Sequence, residues 1–398
     1  MKKDKLKVFA GDLIYSLIGL LVFNGVMQLL IYPRMTVFMG SESWGVVLTI
    51  ISAASIVATS FGTGANYSRM VVSVNQDDVA GDYNIFLAWV AAGSLAVSFF
   101  TMFIVNDVGL SAYIGIYCLM VAMTLRYFSD VEYRLNVNYR GLMVYYFIIT
   151  AGYIAGLALY PVFHSWALTL VLGELLGPLW VAVRGHIYRR PLFRKSPHFK
   201  ENIRSMLTLS SSYLLTNLVL FSDRILLLIF EGGTAVTVFY TATLVGKIVS
   251  LLTSPLNGVI TGHLAKYKGK ITRKAIGELA IVLIGIGIVV TAASMLVSVV
   301  FVKLMYADLY DQASQYFLVA NAGQIVYFIS ETFLVVLLRY TKENLQLKIN
   351  SIYAVLFYAV GIPAVMFFGT MGLGISILVV NIIRFAAVVA IGIHYAEK

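Results

Sequence analysis

Twelve apolar runs, each about as long as a membrane crossing, set the terms for this 398-residue sequence. A crossing helix needs about 20 such residues at 1.5 Å of rise each. The runs fall at roughly 10–32, 45–64, 85–105, 109–127, 141–162, 165–184, 206–230, 235–262, 277–301, 314–338, 350–368 and 371–394. The chain is 60% hydrophobic and only 12% charged. A water-soluble fold could not bury that much apolar surface, so an all-α, polytopic integral membrane protein is expected. The opening MKKDKLK has the charge of a signal peptide. No small-residue cleavage site follows and the run behind it is long enough to span, so it reads as the first, retained helix. One cysteine, Cys118, precludes an intrachain disulfide or a CxxC site and is expected to be a small core or lipid-facing residue.

The net charge of +10 is ordered by side rather than spread. With the N-terminus in the cytoplasm, 24 of the 29 Lys and Arg fall on the cytoplasmic side, among them seven in 184–205, five in 263–276 and three in 126–140. The other side holds Arg34 and Lys303, and Arg224, Lys247 and Arg384 lie within spans. This positive-inside pattern places both termini in the cytoplasm. It explains the basic character without nucleic acid and brings the loops near anionic headgroups. The basic stretch 185–205 separates an N-terminal six-helix lobe, 1–184, from a C-terminal one, 206–398. Six spans is an even number, so both halves enter the membrane in one direction, the layout of parallel transporter repeats. The outer loops are about a dozen residues at most, at 33–44 and 302–313, too short for an extracytoplasmic domain.

Charges and polar stripes inside the spans are the functional signal, because an ionisable group at membrane depth is costly unless it faces protein or water. In Ser210–Tyr240 one helix, a Glu-Gly-Gly turn and a second helix are expected. At 100° per residue Ser210, Tyr213, Asn217 and Arg224 share a stripe, with Ser212, Thr216 and Asp223 beside it, giving this helix a wet face. Asp223 is placed either to hold a neighbouring helix or to bind a coupling proton or cation. Arg224 faces a cavity, snorkels outward or pairs with a carboxylate. The next span carries Tyr240, Thr243, Lys247, Ser250, Ser254, Asn257, Gly258 and Thr261 on one stripe, with Pro255 expected to bend it. A hydroxyl-glued helix interface explains the Ser and Thr but not the lysine. In the first span Asn24 and Gln28 lie one turn apart and Pro33-Arg34 is expected to end the helix, leaving Arg34 as an interface anchor or a substrate contact. Glu331 and Arg384 are candidates for a buried interhelical pair. Glu174, before Gly177-Pro178, is a structural partner or a proton site. Gly152/Gly156 and Gly173/Gly177 have the spacing of close helix packing.

Enzyme signatures are missing: there is no GxxxxGK[ST], HExxH or GxSxG. The five histidines lie in loops or at span ends. No catalytic residue, metal or cofactor is assigned.

Two segments, LIYPRMTVFMGSESWGVVLTIIS at 30–52 and TNLVLFSDRILLLIFEGGTAVTVFYTATLVGKI at 216–248, share a plan. Each is a polar-marked helix, a short loop with Glu42 or Glu231, and a return helix opening on Trp44-Gly45 or Phe239-Tyr240. In this, and in layout over nearly the whole chain, the sequence resembles the polysaccharide transporter branch of the multidrug/oligosaccharidyl-lipid/polysaccharide flippase (MOP) superfamily, the Wzx-type oligosaccharide flippases. The resemblance implies a MATE-like fold of twelve transmembrane helices in two six-helix lobes around a cationic cavity lined by spans one, two, seven and eight. It implies alternating access, driven by a proton, a cation or the membrane potential, that carries an isoprenoid-pyrophosphate-linked oligosaccharide across a bacterial cytoplasmic membrane. Such cargo would be an O-antigen, capsule or exopolysaccharide repeat unit, and other polysaccharide-assembly proteins would be neighbours. On that reading Arg34, Arg224 and Lys247 are the cationic contacts, and Asn24, Gln28, Asp223 and Asn257 line the cavity. Asp223, Glu174 and Glu331 are the carboxylates available for ion coupling. A drug or cation antiporter of the same superfamily is the alternative, followed by a membrane-embedded glycan polymerase or acyltransferase.

Overall fold

The computed structural model describes residues 2–72, 80–188, 192–266, 272–338 and 344–396. α1 runs Lys2–Val26, passes through a π turn at Met27–Ile31 and continues as Tyr32–Met39. α2 is Ser41–Val57, a second π turn at Ala58–Gly62 and then Thr63–Val72. There follow α3 Ala80–Ile104, α4 Leu110–Ser129, α5 Tyr139–Phe163, α6 Trp166–Arg184, α7 Phe199–Glu231, α8 Gly233–Lys266, α9 Arg273–Met305 and α10 Phe317–Leu338. The last helical stretch, Asn344–Tyr395, is two helices, α11 (344–368) and α12 (370–395), parted where Gly369 takes φ 60° and ψ −150°. Each of the twelve expected spans has its helix. By length and apolarity ten described segments suit a membrane crossing, with 348–395 counted once and the apolar part of α8, Gly233–Val249, shorter.

Local chemistry explains the boundaries. Asn138, Ser165 and Thr272 cap α5, α6 and α9, each side chain accepting a backbone N–H three residues on at 2.9–3.2 Å. The α1–α2 and α7–α8 turns are single glycines, Gly40 at φ 79° and Gly232 at φ 87°, a region that residues with a Cβ enter only under strain. Glu42 and Glu231 are therefore helix-end residues, not loop residues. Pro33 does not end α1. The π turn before it, closed by the Tyr32 N–H on Met27 O, loosens the register where the proline ring would otherwise strike the preceding turn. Arg126, counted with the cytoplasmic loops from sequence, belongs to α4 and is buried.

By contacts the chain divides into two compact units, Met1–Ile225 and Leu226–Lys398. In the first unit α5 packs on α6 and α1, and α4 on α6 and α3. The glycine spacings act as expected there: a Cβ on Gly156 would lie 2.6 Å from Thr169 O, and one on Gly173 would lie 2.4 Å from the Tyr153 ring. In the second unit α8 and α9 pack on α10, which packs on the α11–α12 pair. Its core gathers Ile276, Phe333, Leu334, Leu337 and Val388.

Candidate functional site

Much of the polar stripe of α7 is covered, although Ser212 is exposed and donates to Thr208 O of its own helix at 3.1 Å. The covered part lies against a matching stripe of hydroxyls on α2. Ser205 meets Ser68 at 2.9 Å, Asn217 donates to Ser60 Oγ at 3.1 Å, the Arg224 guanidinium donates to Ser52 Oγ at 3.1 Å, and Thr49 Oγ1 donates to Arg224 O at 3.3 Å. Tyr67 and Tyr213 stack at 5.9 Å, and Ser210 sits against Gly64. Arg224 is buried, as are Thr49, Ser52 and Ser60. A membrane helix seeks partners for its polar atoms within the protein, and α2 supplies them. Interhelical side-chain bonds of this kind average about 0.6 kcal/mol, so four of them hold the seam by roughly 2–3 kcal/mol. Asp223, also buried, accepts the Arg224 backbone N–H at 2.9 Å.

Each unit contains a buried Arg–Glu pair. In the first, Arg126 of α4 pairs with Glu174 of α6, Tyr153 of α5 donates to the same carboxylate, and the guanidinium lies 4.0 Å over the Tyr127 ring and 5.4 Å from the Phe23 ring. In the second, the expected pair of Arg384 on α12 and Glu331 on α10 is present. Tyr327 donates to Glu331 at 3.2 Å, Arg384 donates to Ser330 at 3.0 Å, and its guanidinium lies 4.9 and 5.2 Å from the Tyr327 and Tyr353 rings. The fourth and sixth helices of the chain are thus joined as the tenth and twelfth are, with the charges exchanged.

Lys247 is half-buried on α8, with its ammonium 5.4 Å from the Tyr240 ring. Just before it, Asn321 of α10 enters the α8 ladder. Its Oδ1 accepts the Gly246 N–H at 2.8 Å, and its Nδ2 donates to Phe317 O and Ser298 Oγ and reaches Ala242 O at 3.5 Å. A side chain inserted in this way is a recognised origin of helix bending. Asn257 is half-buried further along α8. The side chains of Ser250, Ser254, Pro255, Gly258 and Thr261 lie outside the described residues. On α1, Asn24 donates to Leu20 O at 2.8 Å on its own helix, Gln28 is half-buried in the π turn and Arg34 is exposed. Asn24, Gln28, Arg34 and Arg224 fall in the first unit, and Lys247 and Asn257 in the second.

On either side of 189–191 the chain is held to the first unit by carboxylates. Glu132 accepts the backbone N–H groups of His186 and Ile187 at 2.9 and 3.0 Å. Asp82, fully buried, accepts Ser196 N at 2.9 Å, Ser196 Oγ at 2.5 Å and Asn202 Nδ2 at 2.9 Å. Among the described residues no three His, Cys, Asp or Glu side chains gather as a metal site would require.

No family model matches the sequence, and no curated relative matches it. Solved structures do. An inward-facing multidrug resistance MATE family transporter of the MOP superfamily superposes with a TM-score of 0.69 at 14% identity, covering 95% of this chain and 97% of that one. The lipid II flippase MurJ, inward closed, gives 0.62 at 11% identity over 98% and 87%. The Vibrio cholerae MATE transporter VcmN, bent form, gives 0.58 at 12% identity over 98% of both chains. At such identities the likeness is one of architecture, and the chain is a multi-pass membrane protein with the fold of the MOP-superfamily transporters.

Proposed function

We propose that the protein is a lipid-linked oligosaccharide flippase. It carries an undecaprenyl-pyrophosphate-linked glycan, such as an O-antigen, capsule or exopolysaccharide repeat unit, from the cytoplasmic to the outer leaflet of a bacterial cytoplasmic membrane, with both termini in the cytoplasm. The observation that supports this most is the hydroxyl-rich seam of α2 and α7 with Arg224 within it. Sugar hydroxyls can replace Ser52, Ser60 and Ser68 bond for bond as the seam parts, and a guanidinium suits a pyrophosphate. A polar, cationic route lowers the cost of taking such a headgroup through about 30 Å of hydrocarbon, while the isoprenoid tail stays in lipid. Arg224 and Lys247 are the proposed headgroup ligands, and Arg34, Asn24, Gln28 and Asn257 line the path. Asp223, Glu174 and Glu331 are the proposed coupling carboxylates; Glu174 and Glu331 each sit against an arginine.

A strain lacking the gene is expected to accumulate the lipid-linked precursor. Arg224→Ala and Lys247→Ala should each lower surface glycan roughly tenfold or more, the effect of losing a charge-assisted contact. Full surface glycan with both variants would remove these residues from the path. The MATE neighbours favour a second reading, a drug or cation antiporter. It predicts altered drug susceptibility and dependence on a carboxylate rather than on Arg224. A polymerase or acyltransferase would alter its substrate covalently in proteoliposomes.

A further inference from the structure

In the first unit a cavity of about 280 Å³ lies where α3 and α4 meet Tyr188, Leu192 and Phe193, walled chiefly by Leu87, Ala91, Val121, Leu125, Leu192 and Phe193. Three polar side chains reach it, and each is already engaged with protein. Asn84 Nδ2 donates to Leu192 O at 2.9 Å, Thr124 Oγ1 donates to Met120 O at 2.8 Å, and the Tyr188 hydroxyl shares a hydrogen bond with Ser129 Oγ at 2.8 Å. The wall is therefore suited to hydrocarbon. Its volume falls just below the roughly 300–1,000 Å³ of pockets for drug-sized molecules, so it fits a length of chain and not a bulky ring system.

The rim has a different character. Leu192 and Phe193 are 39% and 63% exposed, and Arg194 and Lys195 follow them directly, also exposed. Apolar side chains beside cations are the composition of a segment seated at a headgroup layer. The Lys195 ammonium lies 4.9 Å over the Phe199 ring. Asp82 and Asn84 hold the segment down through Ser196 and Leu192, so the rim is preorganised.

We propose that this cavity binds one acyl chain of an anionic phospholipid, with Arg194 and Lys195 on its phosphate. The chain is chosen by the wall and the headgroup charge by the rim. The site lies apart from the α2–α7 seam and does not depend on what the protein transports.

The test uses the purified full-length protein in phosphatidylcholine nanodiscs carrying a trace of phosphatidylglycerol or phosphatidylcholine with a photoactivatable acyl chain. Labelling is expected on peptides of α3 around Leu87–Ala91 and of α4 around Val121–Leu125. Two cations at the rim should favour phosphatidylglycerol by roughly 25-fold. Ala91→Trp fills the cavity and should remove the label. The double variant Arg194→Gln/Lys195→Gln changes only exposed side chains and should keep the label while equalising the two lipids. Unlabelled phosphatidylglycerol should compete. Equal labelling by both lipids in the unmodified protein would overturn the proposal, as would label undiminished in folded Ala91→Trp, or competition by undecaprenyl phosphate alone. Should Ala91→Trp fail to fold, the rim variant decides: an unchanged preference refutes the assignment.

Discussion

Replacing Glu174 by Gln tests what holds the first unit together. The glutamine keeps an acceptor for Tyr153 and nearly the same volume but removes the charge opposite Arg126. The side chains of Arg126 and Glu174 are only 9% and 3% exposed, so water cannot take the place of the lost carboxylate. Removing one partner of a buried pair costs about 3–5 kcal/mol, because the other charge remains buried and unmatched. The Tyr127 and Phe23 rings against the guanidinium offset some of this, at about 0.5–2 kcal/mol for each ring. A net loss near 3 kcal/mol is expected, read as the shift in unfolding free energy in mixed micelles. The double variant Arg126→Met/Glu174→Gln removes both charges and should recover most of that loss, so that with Arg126→Met and Glu174→Gln as the single variants the cycle gives a coupling of about 2 kcal/mol or more. Glu331→Gln should cost less, since the Glu331 side chain is 19% exposed. If Glu174→Gln is as stable as the unmodified protein, or if the double variant is as unstable as the two single losses summed, the pair is not the structural tie described. A double variant that is stable but inactive would instead assign Glu174 to coupling.

Two further outcomes follow from close contacts. A Cβ on Gly64 would lie 2.3 Å from Ser210 Oγ and 2.8 Å from Ser210 Cα, so Gly64→Leu should force α2 and α7 apart. In a Cys118→Ser background, disulfide yield between Ser60→Cys and Asn217→Cys should then fall several-fold, and an unchanged yield would contradict the packing. Burial raises the Tyr188 phenol above its usual value, with the Ser129 hydrogen bond opposing the shift. The docked segment favours the neutral phenol. Its contribution is therefore complete below about pH 10 and is lost as pH climbs through the raised value. Limited proteolysis of 185–198 should accelerate in that range, and Tyr188→Phe should abolish this pH dependence.

The twelve helices were legible because span length and apolarity are properties of local sequence, and every expected run has its helix. The pairing of Glu331 with Arg384 was legible because two opposite charges at membrane depth have few other ways to be tolerated. Arg126 obeys the same logic and was missed, since it stands at the end of its apolar run and was grouped with the basic loop beyond. The stripe on α7 was visible as a stripe, and the resemblance placed the second span on the same cavity, but the individual partners Thr49, Ser52, Ser60 and Ser68 are decided by tertiary packing. Asn321 gave no signal: one amide in an apolar helix looks the same whether it bonds its own turn or enters a neighbour's. Asp82 and Glu132 hold Ser196, His186 and Ile187 in part through backbone N–H groups, which leave no mark in the side-chain pattern.

The two Arg–Glu pairs have an electrical consequence. Moving one elementary charge through the membrane field costs or releases about 2.3 kcal/mol per 100 mV. A matched pair sums to zero, so a bundle carrying Arg126 with Glu174, or Arg384 with Glu331, can shift across the bilayer without doing work against the resting voltage. The exchanged polarity of the two pairs fits such a role, because neutrality has no preferred direction.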